Sequence, residues 1–142
     1  MKNICLFSCV LLTALATTAA DTKTVTSPEG KCAVTVPSTW TADGLGGVDS
    51  PDKKISAIVR SPKHGLTSLA DVKQMAPTVY KDDKVTKSSA SDFQMEGKSL
   101  GGKPNFYRAI PAGAQLCILE VTYDNAASAP QAKAVVDSLK AK

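Results

Sequence analysis

Leu116 to Tyr123 read LCILEVTY, eight residues rich in β-branched and aromatic side chains, with apolar groups at four consecutive positions before alternation begins. A strand with one face in water alternates apolar and polar residues, so the unbroken run Leu116, Cys117, Ile118, Leu119 predicts a central strand covered on both faces. The sheet that holds it is expected to be sandwiched.

On its C-terminal side, Ser128-Ala129-Pro130-Gln131 combines a serine cap, a proline in the first turn and a glutamine three residues beyond the cap. Ala132, Val135, Val136 and Leu139 then form one apolar stripe at helical spacing, which needs a sheet face to cover. Lys140 and Lys142 would favour the negative end of that helix's dipole. On the N-terminal side, Phe93 to Leu100 and Asn105 to Ala112 predict two strands joined by Gly101-Gly102-Lys103-Pro104, where the glycines supply the positive φ of a tight turn. Phe106, Tyr107 and Ile110 are expected inside, with Arg108 at an exposed edge or paired with an acid. Lys81 to Asp92 is polar and poorly patterned, an edge strand around Val85 or an extended connection.

Further upstream, ISAIVR over residues 55–60 predicts a strand with Ile55, Ala57 and Val59 on one face and Ile58 on the other. The period then changes. Ser68 and Asp71 have capping-box spacing, Leu69, Val72, Met75 and Ala76 recur as on a helix, and the helix should kink or stop near Pro77. TKTVT and CAVTVP, separated by Ser27-Pro28-Glu29-Gly30, predict a hairpin ended by Pro37, with Cys32, Val34 and Val36 on one side. Trp40, the only tryptophan, is expected as a core plug or a lid over the end of a sheet. TADGLGGVDSPDKK, residues 41–54, holds three glycines, a proline and Asp43, Asp49 and Asp52, and is expected to be a mobile loop and the candidate binding segment. Its aspartates lack the alternating spacing of a calcium loop, and Gly44-Leu45-Gly46-Gly47 lacks the strand, helix and third glycine of a dinucleotide site.

The first twenty residues pair the basic Lys2 with an apolar run from Cys5 to Ala16 and the small-residue exit Thr18-Ala19-Ala20, the pattern of a secretory signal peptide. The run is too short for a spanning helix, which needs about 20 residues, so cleavage after Ala20 is expected, with no transmembrane segment left. Residues 21–142 are then a single exported domain, periplasmic or secreted. Loss of Lys2 takes the formal charge from +4 to +3, and the remaining basic residues are interspersed with acids, which speaks against a nucleic-acid partner.

Several stretches together resemble the PsbP-like superfamily: VTVPSTW ending in Trp40, ISAIVRSP followed by LTSLADV, the turn from Leu100 to Pro104, and the closing VVDSLK. That superfamily contains photosystem II extrinsic proteins, a Ran-binding nuclear transport factor and many small exported bacterial proteins. The resemblance implies an α+β fold with an antiparallel sheet between two helix layers, a three-layer α/β/α arrangement in the order hairpin, strand, helix, meander, helix. It brings no catalytic residues, no motif matches the metal-binding parts of the plant proteins, and secretion contradicts a Ran partner.

Cys5 and Cys9 leave with the signal peptide, so Cys32 and Cys117 are the two cysteines carried into an oxidising compartment, and a disulfide between them is expected. The resemblance implies that their strands flank ISAIVR, which would ordinarily hold them about 10 Å apart. Both cysteines begin their strands, however, so if both strands run antiparallel to ISAIVR the cysteines would lie level with its end near Ser61-Pro62, where no strand need intervene.

Catalytic signatures are sparse. Nucleophilic catalysis wants a histidine base, and His64 is the sole histidine, in a loop beside glycine. Asp82, Asp83, Glu96 and Glu120 offer carboxylates without a marked cleft, and Glu120 on the central strand is expected to be a satisfied or edge-facing acid. Two distant cysteines and one histidine do not make a zinc site. The expectation is a non-enzymatic exported binding or accessory module with a protein partner and no catalytic residues, cofactor or metal. The alternative is a small secreted hydrolase or ligand-binding protein whose pocket the sequence does not reveal; a deep pocket would favour it, a flat patch the first reading.

Overall fold

The computed structural model describes residues 20–80 and 82–142, so the signal-peptide reading falls, apart from Ala20, outside the described residues. The elements in order are β1 (Thr22–Thr26), β2 (Cys32–Pro37), β3 (Thr41–Ala42), β4 (Gly47–Asp49), β5 (Ile55–Arg60), α1 (Leu69–Val79), β6 (Lys84–Ser88), β7 (Phe93–Lys98), β8 (Pro104–Ala112), β9 (Gln115–Tyr123), α2 (Ala129–Asp137) and β10 (Lys140–Ala141). All strand pairings are antiparallel. They form a seven-stranded sheet in the order β3-β4-β5-β9-β8-β7-β6 and a three-stranded sheet in the order β1-β2-β10, giving an α+β fold with two helices among the described residues.

LCILEVTY lies in β9, fourth of seven strands, and Leu116 to Leu119 are all buried. Alternate residues serve two separate cores. Leu116 and Ile118 join Leu69, Val72 and Ala76 of α1 with Phe93, Met95, Tyr107 and Ala109. Cys117, Leu119 and Val121 join Ala132, Val135 and Val136 of α2, together with Val34 and Val36 of β2, Trp40, Ala57 and Val59. Trp40 thus plugs the second core. Each fully buried valine or leucine contributes about 1.5 to 3 kcal/mol relative to exposure, so β9 stabilises both layers it touches.

Several expectations need correction. The segment from Thr41 to Lys54 is not loop throughout: β3 and β4 pair with each other, and β4 extends the sheet beside β5. The turn formers there serve short strands. Helix α1 does stop near Pro77, at Val79, with Tyr80 N–H still reaching the Ala76 carbonyl at 2.9 Å. Ser128 makes no side-chain cap, since its backbone is already in the helical region and its hydroxyl reaches Asn125 Oδ1 instead. Lys140 sits not in a last helical turn but in β10, paired with Ala33 of β2. The capping box of Ser68 and Asp71, by contrast, is formed in both directions.

Cys32 and Cys117 form a disulfide with Cα atoms 5.4 Å apart. Their strands do not flank β5 within one sheet: β5 lies between β4 and β9, and β2 belongs to the smaller sheet. The two sheets share one core, which lets the cysteines meet across it. The level along β5 is the expected one, for Ile118 pairs with Arg60 and the Cys32 sulfur lies 3.6 Å from the Arg60 carbonyl oxygen.

The turn between β3 and β4 depends on Gly46, whose φ is +91° and whose carbonyl accepts Val59 N–H at 2.9 Å. A Cβ there would lie 2.2 Å from the Val59 carbonyl oxygen. Gly46→Ala is expected to cost about 2 to 4 kcal/mol, from backbone strain and from forcing β4 away from β5. Urea unfolding measures it, and an effect below about 0.5 kcal/mol would disprove the close approach.

Candidate functional site

Strand register sorts the α1 side of the large sheet into three rows. Arg60, Ile118, Ala109 and Phe93 are mutual neighbours across β5, β9, β8 and β7; next come Ile58, Glu120, Tyr107 and Met95; then Ser56, Thr122, Asn105 and Gly97. Helix α1, with 11 residues, is about 16 Å long and packs on the apolar members of the first two rows. The third row is polar, with Asn105 completely buried and Ser56, Thr122 and Gly97 half-buried. Asp49 of β4 extends that row beside Ser56, and Ile58 remains 46% exposed in the row before it.

The boundary is built from charged and phenolic side chains. Glu120 Oε2 lies 3.6 Å from Arg60 Nη2, and Glu120 Oε1 accepts from Asn105 Nδ2 at 3.4 Å. Glu120 is thus the satisfied carboxylate expected of it. Tyr80, at the end of α1, and Tyr107 on β8 stand with ring centres 5.9 Å apart. Burial pushes the Tyr107 phenol far above its ordinary pKa, and the Tyr80 phenol rises through burial and the nearby Glu120 charge. Both remain protonated donors at neutral pH. Asp83 fills the space that Gly97 leaves: a Cβ on Gly97 would fall 1.9 Å from Asp83 Oδ1, which accepts Lys98 N–H at 2.8 Å.

Of the three candidate aspartates, Asp43 and Asp49 come together and Asp52 does not join them. Asp43 and Asp49 line one cleft of about 290 Å³ with Gly47, Ser56 and Ile58. Asp43 Oδ1 accepts Leu45 N–H at 2.7 Å and Gly47 N–H at 2.9 Å, while Asp49 accepts the Ser56 hydroxyl. Asp52 braces the turn before β5, accepting the Ser50 hydroxyl at 2.8 Å and Lys54 N–H at 3.2 Å. Those bonds, the serine's first, hold its carboxyl below the usual range.

A second cleft of about 210 Å³ opens beside α1 among Arg60, Leu66, Met75, Tyr80, Tyr107 and Ile118. Sequence reasoning singled out none of its polar groups as a site. The alternation in β9 places Glu120 on the side of Ile118, but only the register of three strands brings Arg60, Glu120 and Tyr107 together. Among the described residues no three of His, Cys, Asp and Glu gather as a metal-ligand set, and no helix is long and apolar enough to cross a membrane. His64 is exposed ahead of α1.

No protein-family model matches the chain, and no curated protein matches it. Solved structures do. One, a protein from Bacteroides thetaiotaomicron VPI-5482, has a TM-score of 0.56 and 18% identity over 84% of this chain and 48% of that one, so the chain spans about half that protein's length. Another, the solution structure of cyanobacterial PsbP (CyanoP) from Synechocystis sp. PCC 6803, has a TM-score of 0.53 and 12% identity over 93% of this chain and 99% of that one. At such identities the likeness concerns architecture, and the chain has a PsbP-like fold.

Proposed function

We propose that residues 21–142 form one exported α/β/α domain that acts as a non-enzymatic accessory module, binding a protein partner through the open end of its sheet. The observation that carries this reading is the incomplete cover of the α1 side, where Asp43 and Asp49 converge beside the exposed Ile58. An exposed apolar residue, Ile58, beside two fixed carboxylates suits recognition of another protein surface. Export is supported by the pattern of residues 1–20 and by the Cys32–Cys117 disulfide. The non-enzymatic reading is supported by the engagement of the central-strand carboxylate, since Glu120 is held by Arg60 and Asn105.

The test is affinity capture from the exported fraction with the oxidised protein as bait. Asp43→Asn with Asp49→Asn keeps acceptors for the Leu45, Gly47 and Ser56 donors while removing two charges, so capture is expected to fall about tenfold with little change in Tm. Asp52→Asn, outside the cleft, should leave capture intact. Undiminished capture by the double variant removes this surface from the proposal, and turnover of any substrate that is lost on Glu120→Gln would establish the enzymatic alternative.

A further inference from the structure

We propose that the cleft between the C-terminal half of α1 and strands β5, β9 and β8 is a binding site for a small organic monocarboxylate with a compact apolar body. The cavity, about 210 Å³, exceeds the roughly 150 Å³ that accommodates a benzene ring. Leu66, Met75 and Ile118 supply apolar walls, and three donors, Arg60, Tyr80 and Tyr107, line the same space. Tyr107 is 4% exposed and Tyr80 half-buried; neither hydroxyl is hydrogen-bonded to another described residue, and neither is among the fully enclosed unpartnered atoms, so both open toward the cleft. A phenol hydroxyl that opens into a cleft and has no protein partner is free to donate to a ligand oxygen.

Arg60 gives the site its sign. A guanidinium has five N–H donors, and only one of its nitrogens approaches Glu120, at 3.6 Å, so the fork is oriented without being used up. A planar fork beside two phenols matches a carboxylate, which accepts at both oxygens. The nearby Glu120 charge sets the limit on the ligand: a second carboxylate would be repelled, which selects monoacids over diacids. This site lies apart from the Asp43 and Asp49 cleft and does not depend on partner binding there.

The experiment is NMR titration and calorimetry of the oxidised protein with sodium benzoate, benzyl alcohol, benzylamine and phthalate as probes. Benzoate is expected to bind one to one, shifting the Ile118 methyl and Tyr107 ring signals, with benzyl alcohol and phthalate about tenfold weaker and benzylamine not bound. Arg60→Gln and Tyr107→Phe should each weaken benzoate about tenfold, whereas Asp43→Asn with Asp49→Asn should not. Arg60 is exposed, so its variant keeps the fold and carries the test even if the Tyr107 variant does not. Failure of benzoate to saturate at millimolar concentration, equal binding of the alcohol or amine, or unchanged affinity in Arg60→Gln would each overturn the proposal.

Discussion

Replacing Cys32 and Cys117 together by alanine is expected to lower stability by about 4 to 5 kcal/mol in the chain-entropy model, a large share of what holds a domain of this size folded. The bond closes a loop with a sequence separation of 85, and opening it returns that freedom to the unfolded chain. The two residues are also completely buried, so alanine removes packed sulfur from the core shared by the two sheets. Urea unfolding of the oxidised protein against the double variant measures the difference. A loss below about 1 kcal/mol would mean that side-chain packing between the sheets suffices without the link.

Arg108→Ala should follow closely, at about 3 to 5 kcal/mol. Arg108 Nε and Nη2 donate to the two carboxylate oxygens of Asp92 at 3.0 and 3.1 Å, while Nη1 reaches the carbonyls of Val136 and Asp137 at 3.0 and 2.9 Å. One guanidinium therefore neutralises a buried acid and satisfies the last turn of α2, where free carbonyls collect. Removing it leaves Asp92 with Lys87 and Gln94 alone and takes a charged donor from the end of α2. Burial alone would raise the Asp92 pKa, but hydrogen bonds from Arg108, then Lys87 and Gln94, more than offset it and hold the carboxyl below its ordinary value. A folded-state pKa below the unfolded one contributes stability that is present above about pH 4 and lost as pH falls through the folded value. The stability gap between the native protein and Asp92→Asn should accordingly be widest at neutral pH and close on acidification below about pH 4. A gap that stays constant down to pH 2 would contradict the ion pair.

What local pattern could disclose, it did. LCILEVTY announced burial on both faces because four consecutive apolar residues have no other use in a strand, and ISAIVR and the Ser68 capping box likewise carry their signals within a few residues. Thr41 to Lys54 misled because its glycines signal turns whether or not the residues between them pair, and β4 exists through its neighbour β5. Arg108 was expected at an edge or beside an acid, and the acid is Asp92; its second duty at the end of α2 depends on a segment 28 residues away. The cleft of Arg60, Tyr80 and Tyr107 was illegible for the same reason, since register across β5, β9 and β8 places side chains that no spacing relates. Asp43 and Asp49 were named from composition, but their convergence comes from the β3–β4 pairing.

The disulfide also divides the chain into an enclosed stretch and two outer ones. Helix α1, the meander from β6 to β8 and the Asp43 turn all lie between Cys32 and Cys117, and β1, α2 and β10 lie outside. A protease that cuts the exposed bend at Lys63-His64-Gly65 therefore releases nothing, because both pieces stay tethered and migrate as one species until a reductant is added. Tension applied through the two ends is confined in the same way. Only the segments before Cys32 and after Cys117 can be drawn out, and the strands that frame both clefts on the α1 side, except the end of β9, sit behind the covalent link.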